Sequence, residues 1–264
     1  MLEALIFDVD GTLADTERWG HRVAFNRAFA EVGLDWNWDE ELYGDLLAVT
    51  GGKERMRHFI DRCRPEVPVD ESELPDFIAH LQVLKTRHYK ALVEQGGIPA
   101  RPGVLRLIEQ ARELGIRLAI ATTTTPGNVD ALLAASFGND AKAWFEVIGA
   151  GDIVPKKKPA PDIYQYVLGQ LDLAPERCLA LEDSEMGLTA ALAAGIPTVV
   201  TINGYTADHD FTGALMVVDH LGEPGQQMHC LHGAVPLTDI TLLDVVTLSD
   251  MHDAWLQSVA QSPP

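Results

Sequence analysis

Cysteine is scarce in this chain: among 264 residues there are three, Cys63, Cys178 and Cys230, far apart. An odd, sparse set builds no disulfide framework and points to a reducing compartment. Positive charge is scarce too. Lysine and arginine number 20 against 39 aspartates and glutamates, a net charge of −19. That balance argues against nucleic acid or an anionic membrane as partner, since both need a basic face. No apolar run approaches the ~20 residues needed to span a bilayer. The opening Met1-Leu2-Glu3-Ala4 has no basic n-region, so it does not read as a signal peptide. Internal repeats, low-complexity segments and an obvious heptad are missing as well. The expectation is a soluble cytoplasmic protein, monomeric by default.

The apolar fraction of 47% is ample for a sizeable core. Short apolar runs recur along the chain, at Leu2–Phe7, Ile116–Ala121, Val147–Ala150, Cys178–Leu181, Thr198–Ile202 and Leu215–Val218. Helical patterns separate them, starting near Gly103, Pro126, Ala160 and Gly187. Strand–helix alternation predicts an α/β fold with a doubly wound parallel sheet. Residues 16–98 break the rhythm. They hold amphipathic helical patterns, such as Trp19–Val32 and Phe77–Val93, and no convincing strand. The expected organisation is a core domain of 1–15 and 99–264 and a helical cap domain of 16–98. The hinges fall near Ala14–Thr16 and Gly96–Pro102, the second marked by Gly96-Gly97 and Pro99. Beyond Gly222 the pattern is less readable. Leu242–Leu248 is expected to add an edge strand and Asp250–Val259 a final helix.

Four motifs sit at or just beyond the carboxyl ends of these runs, where open α/β sheets bind ligands. Asp8-Val9-Asp10-Gly11-Thr12 follows the first. One carboxylate there can attack phosphorus and the other can manage protons; the same residues could be a plain Asp-Gly turn. Thr122 ends the second run and opens Thr122–Thr125. A hydroxyl with free backbone N–H groups before a helix can hold a phosphoryl group, or simply cap that helix. Lys158, in Lys156-Lys157-Lys158-Pro159, enters a helix and can pair with a carboxylate and a phosphate together, or form a solvated turn. Glu182-Asp183 follows Cys178–Leu181. Adjacent acids at a buried strand end are costly unless neutralised, for which a hard cation such as Mg2+ is suited. The alternative is a loop capped by Ser184. The four together are far more specific than any one.

This set resembles the haloacid dehalogenase superfamily in its phosphatase and phosphomutase branch, over about residues 1–220. The resemblance implies a Rossmann-like core with a small helical cap inserted after the first strand. It also implies roles. Asp8 is the nucleophile and Asp10 the general acid/base; Thr122 and Lys158 bind the phosphoryl group. Asp8, the Asp10 backbone carbonyl, Glu182 and Asp183 surround Mg2+. Asp10 speaks against a true dehalogenase.

A closer resemblance rests on Asp15-Thr16-Glu17, His21-Arg22, Phe25-Asn26, Tyr43, Thr50–Arg55, Lys156–Pro159, Leu181–Ser184 and Gly204-Tyr205-Thr206. These look like the CbbY family, phosphatases of xylulose-1,5-bisphosphate, an inhibitor of Rubisco. A bisphosphate needs its second group held elsewhere. Gly51-Gly52-Lys53-Glu54-Arg55 offers backbone N–H groups and charge for that, though without P-loop spacing. Glu17, His21 and Tyr43 are candidates for sugar hydroxyls, Lys85 for the distal phosphate, and Thr123 for substrate contact. A β-phosphoglucomutase, a phosphoglycolate or other small-ester phosphatase, and a non-catalytic phosphate-binding module remain alternatives. His229-Cys230-x-His232 superficially suggests a metal site, but an isolated cluster of this kind is more often fortuitous.

Overall fold

The computed structural model describes residues 1–96, 98–233 and 240–261. Gly97, expected to mark the second hinge, lies outside them. Among the described residues, seven strands form one sheet in the order β3-β2-β1-β4-β5-β6-β7. They are β1 (Ala4–Phe7), β2 (Arg117–Thr122), β3 (Val147–Ala150), β4 (Cys178–Glu182), β5 (Thr198–Thr201), β6 (Met216–Val218) and β7 (Cys230–Gly233). The first six pair in parallel, and β7 adds an antiparallel edge. The chain winds outward from β1 to β3, then returns to β4 on the other side of β1. The point where winding reverses is therefore at the carboxyl end of β1.

The strands read as near-continuous apolar runs because helices cover both faces. Side chains alternate between the two layers. Leu5 and Phe7, Leu118 and Ile120, and Leu179 and Leu181 face a layer built by α5 (Val104–Glu113), α6 (Pro126–Phe137) and α9 (Val245–Gln261). Ala4 and Ile6, Ala119 and Ala121, and Cys178 and Ala180 face α7 (Asp162–Leu171) and α8 (Glu185–Ala193). The doubly wound α/β expectation is borne out.

Between β1 and α5 the described residues form helices: a π-helical turn at Glu17–His21, then α1 (Arg22–Glu31), α2 (Glu40–Leu46), α3 (Gly52–Cys63) and α4 (Leu74–Glu94). They enclose a separate apolar cluster that includes Phe25, Phe29, Trp36, Trp38, Tyr43 and Phe59. Asn26 fixes Trp38 by exchanging two hydrogen bonds of 2.8 Å with its backbone. The two chain crossings meet at an antiparallel bridge between Ala14 and Ala100.

One expectation fails. Leu242–Leu248 does not form an edge strand; its second half opens α9. The Asp244 carboxylate accepts the Thr247 N–H at 2.7 Å, an N-cap that overrides the β-branched composition. Val245, Leu248, Met251 and His252 are then buried at helical spacing. The edge position goes instead to Cys230–Gly233, a short strand of exposed residues with no periodic signal. Arg106 ties the tail to the core by donating to the carbonyls of Leu221, Gly222 and Leu243. Because Leu248 is fully buried in the core, Leu248→Ala is expected to cost about 2–5 kcal/mol in urea unfolding. A loss below about 0.5 kcal/mol, the range of surface substitutions, would place α9 outside the core.

Candidate active site

Register puts the acidic residues side by side. Phe7 of β1 pairs with Leu181 of β4, so Asp8, Glu182 and Asp183 emerge together at the sheet's carboxyl edge. Lys158 bridges the first two: its Nζ lies 2.6 Å from Asp8 Oδ1 and 2.6 Å from Glu182 Oε1. Tyr164 on α7 donates its hydroxyl to the same Glu182 oxygen, and the Lys158 ammonium stands over the Tyr164 ring. Asp183 accepts the Asn203 amide at 2.6 Å. Burial raises the Asp8 pKa, with Lys158 opposing and the neighbouring acids adding to it. Burial, with Glu182, pushes Asp183 up to about 8. Thr122 ends β2 beside this group, and its hydroxyl accepts the Thr124 N–H at 3.2 Å, a local turn that leads into α6.

Asp10 turns the other way. Its Oδ1 accepts the Thr16 hydroxyl at 2.5 Å and lies 2.9 Å from His21 Nε2. Lys85 Nζ stands 2.9 Å from His21 Nδ1. An ammonium can only donate, so this contact leaves Nε2 as the protonated nitrogen that donates to Asp10. Burial alone would raise the Asp10 pKa. His21, Thr16 and Lys85 outweigh it and hold the carboxyl well below the usual range. Burial lowers Lys85 to about 8, against the pull of Glu17 and Asp10. Beyond this group, Arg55 donates to the Tyr43 hydroxyl at 2.9 Å, and Tyr43 donates to Glu17.

Two cavities meet at these residues. The first is lined by Asp8, Thr122, Lys158, Asp183 and Asn203. The second is lined by His21, Lys85, Gly51, Gly52, Lys53 and Lys157, among others. Asp10, Glu17, Arg55 and Thr123 line both. The structure thus brings every sequence-predicted site residue except Tyr43 and Glu182 onto a cavity wall; Tyr43 lies buried behind Arg55 and Glu17, and Glu182 is fully buried beneath Lys158 and Tyr164. Lys53 is half-exposed and pairs with Asp152 at 3.3 Å. Gly51 has φ +98, and a Cβ there would lie 2.7 Å from Lys157 Nζ. Sequence reasoning missed Asn203, Tyr164 and Thr16. Asn203 carried the same signal as the other motifs, a polar residue just past a buried strand, whereas Tyr164 lies inside a helix and carried none. His229 pairs with Asp219, and Cys230 and His232 lie on exposed β7. Among the described residues, this cluster does not form a metal-ligand group.

Asp8, Glu182 and Asp183 offer carboxylate oxygens within 4.8 Å of one another, all buried. Lys158 touches two of them, and Asp183 has a neutral amide instead. Buried negative charge in such excess is costly. An all-oxygen anionic set suits a hard divalent cation, and Gly11 leaves space: a Cβ there would lie 2.2 Å from Asp183 Oδ2. These residues could hold such an ion.

Residues 2–195 match the family model of the haloacid dehalogenase-like hydrolases. The chain is 53% identical to the CbbY protein of Cupriavidus necator over 86% of this chain and 89% of that one. A crystal structure of CbbY from Rhodobacter sphaeroides in complex with phosphate is 48% identical, with a TM-score of 0.78, over 83% of this chain and 95% of that one. A mutant of the same protein in complex with xylulose-1,5-bisphosphate is 49% identical, with a TM-score of 0.77 over the same shares. Acids, lysine and threonine at four strand ends, on a fold shared with these relatives, place the chain among the haloacid dehalogenase-like hydrolases, as a CbbY-like phosphatase.

Proposed function

We propose that the chain is a Mg2+-dependent phosphatase of xylulose-1,5-bisphosphate, releasing xylulose 5-phosphate through an aspartyl-phosphate on Asp8. Removal of that inhibitor would protect Rubisco. The observation that carries the substrate is the junction of two cavities at Asp10. One holds the nucleophile; the other gathers Lys85, Lys157 and the Gly51-Gly52 amides, a setting for a second anionic group. The Rhodobacter sphaeroides complex supports the same reading. Residues 16–98 act as a cap that closes over the site and excludes water.

Asp8 Oδ attacks phosphorus as the bond to the sugar oxygen breaks, and Asp10 protonates that oxygen. Water then attacks the aspartyl-phosphate, gives its proton to the Asp10 carboxylate and frees Asp8. Lys158 and Thr122 stabilise charge on the equatorial oxygens. Asp8, Glu182, Asp183 and the Asp10 carbonyl would hold Mg2+, which would supply positive charge beside the phosphoryl group and favour the ionised form of Asp8. The Thr16 and His21 contacts hold Asp10 as a carboxylate, ready for the second step. For the first, an arriving phosphate raises its proton affinity by like charge. Glu17 and Arg55 face the sugar side with Tyr43 holding both from behind, and Lys53, paired with Asp152, lines the second cavity.

Three outcomes are expected. Asp8→Asn should lower kcat by roughly 10^4-fold or more with the fold intact by circular dichroism; a substantial residual rate would remove Asp8 as nucleophile. Across phosphorylated metabolites, kcat/KM should be highest for xylulose-1,5-bisphosphate, with free phosphate as product. A higher value for phosphoglycolate, or isomerised sugar phosphate as product, would overturn the substrate. The third outcome concerns pH. Asp183 has a folded pKa raised above its ordinary value, so between about pH 4 and 8 the metal-free fold binds more protons than the unfolded chain and loses stability as pH rises. Mg2+ takes the ionised form. The rise in Tm on adding Mg2+ should therefore grow from pH 5 to pH 8; a rise that shrinks over that window would contradict it.

A further inference from the structure

Arg101 lies just past the Ala14–Ala100 bridge, at the second chain crossing, and its N–H donates to Leu13 at 2.9 Å. Its guanidinium donates to four backbone carbonyls from three separate segments: Gly11, Thr201 at 2.9 Å, Ile202, and Asp219 at 2.6 Å. No carboxylate takes any of these bonds. Each of two acceptor segments leads directly to a functional group. Gly11 closes the turn that carries Asp10. Thr201 and Ile202 precede Asn203, whose amide holds Asp183 at 2.6 Å. The amide orientation is fixed from its other side, because Asn203 Oδ1 accepts the Tyr205 N–H at 2.8 Å.

We propose that Arg101 is a positioning residue of the phosphatase site: by joining the Gly11 turn to the Ile202–Asn203 turn, it sets Asp183 and the Asp10 backbone for a divalent cation. The planar fork matters as much as the charge. An ammonium cannot span four carbonyls from three directions. The Arg101 charge also acts directly on Asp183, where it opposes burial in favouring the carboxylate. The inference rests on Asp183 being a cation ligand.

The test is calorimetric titration of the metal-free protein with Mg2+, alongside Tm and steady-state rates. Arg101→Lys keeps the charge and loses the fork. It should weaken Mg2+ binding by about 10-fold or more, the usual cost of disturbing a group behind a metal ligand. The Mg2+ concentration for half-maximal rate should rise in step, with the substrate KM at saturating Mg2+ little changed. Asn203→Ala should weaken Mg2+ binding similarly. The double variant should lose less than the sum of the two, because both act through Asp183. Lower Tm with a Mg2+ Kd within about twofold of wild type would reduce Arg101 to a structural residue and overturn the proposal; additive losses would also overturn it. Should Arg101→Lys fail to fold, Asn203→Ala decides, an unchanged Kd overturning the route through Asp183. Wild-type protein that binds no Mg2+ would instead overturn the metal reading itself.

Discussion

Lys158 holds this site together. Its ammonium touches Asp8 and Glu182 at once, in a largely buried place where acids outnumber cations. A buried ion pair of this kind is poor evidence for stability, since desolvation offsets most of the attraction. What the arrangement provides is an oriented carboxylate at Asp8, the proposed nucleophile. Removing the lysine would leave two carboxylates facing one another in a medium that penalises both. The neighbouring Asp183 already shows that penalty, with a pKa near 8 from burial and Glu182. The cluster is thus built for added positive charge, and a phosphatase that binds a divalent cation satisfies it.

The rest of the fold follows from bringing those charges together. Residues 8, 158 and 182 are distant in the chain, and parallel pairing of β1 with β4 makes two of them neighbours. Asp10 is two residues from Asp8 but belongs to another network, made by the π-helical turn and α4. Glu17 and His21 open and close that turn, so one local distortion aims both toward Asp10. The proposed proton carrier, Asp10, is therefore held from the helical segment, while the proposed nucleophile, Asp8, is held from the sheet.

Much of this was legible in the sequence. Six strands were visible as apolar runs because parallel strands are buried on both faces, and the polar residues at or beyond the ends of four of them pointed to the site. The failures have physical causes. Leu242–Leu248 looked like a strand because its side chains are apolar and partly β-branched, yet one carboxylate cap at Asp244 turned it into a helix start. β7 has neither burial nor alternation, so nothing announced it. Asn203 was visible by the rule already in use. Tyr164 and Arg101 were not: a tyrosine inside an apolar helix and an arginine beside a proline reveal their partners only when distant segments converge. Lys53 looked like a phosphate ligand by type, and its pairing with Asp152 depends on a loop no local pattern connects to it.

The proposed function stands or falls with Asp8 carrying the phosphoryl group during turnover. Mass spectrometry of peptides from enzyme quenched in acid during turnover of xylulose-1,5-bisphosphate tests it most directly. A phosphoryl adduct is expected on the peptide containing Asp8, formed at a rate at least equal to kcat. An adduct on another residue, or steady turnover with unmodified Asp8 at every quench time, would contradict it.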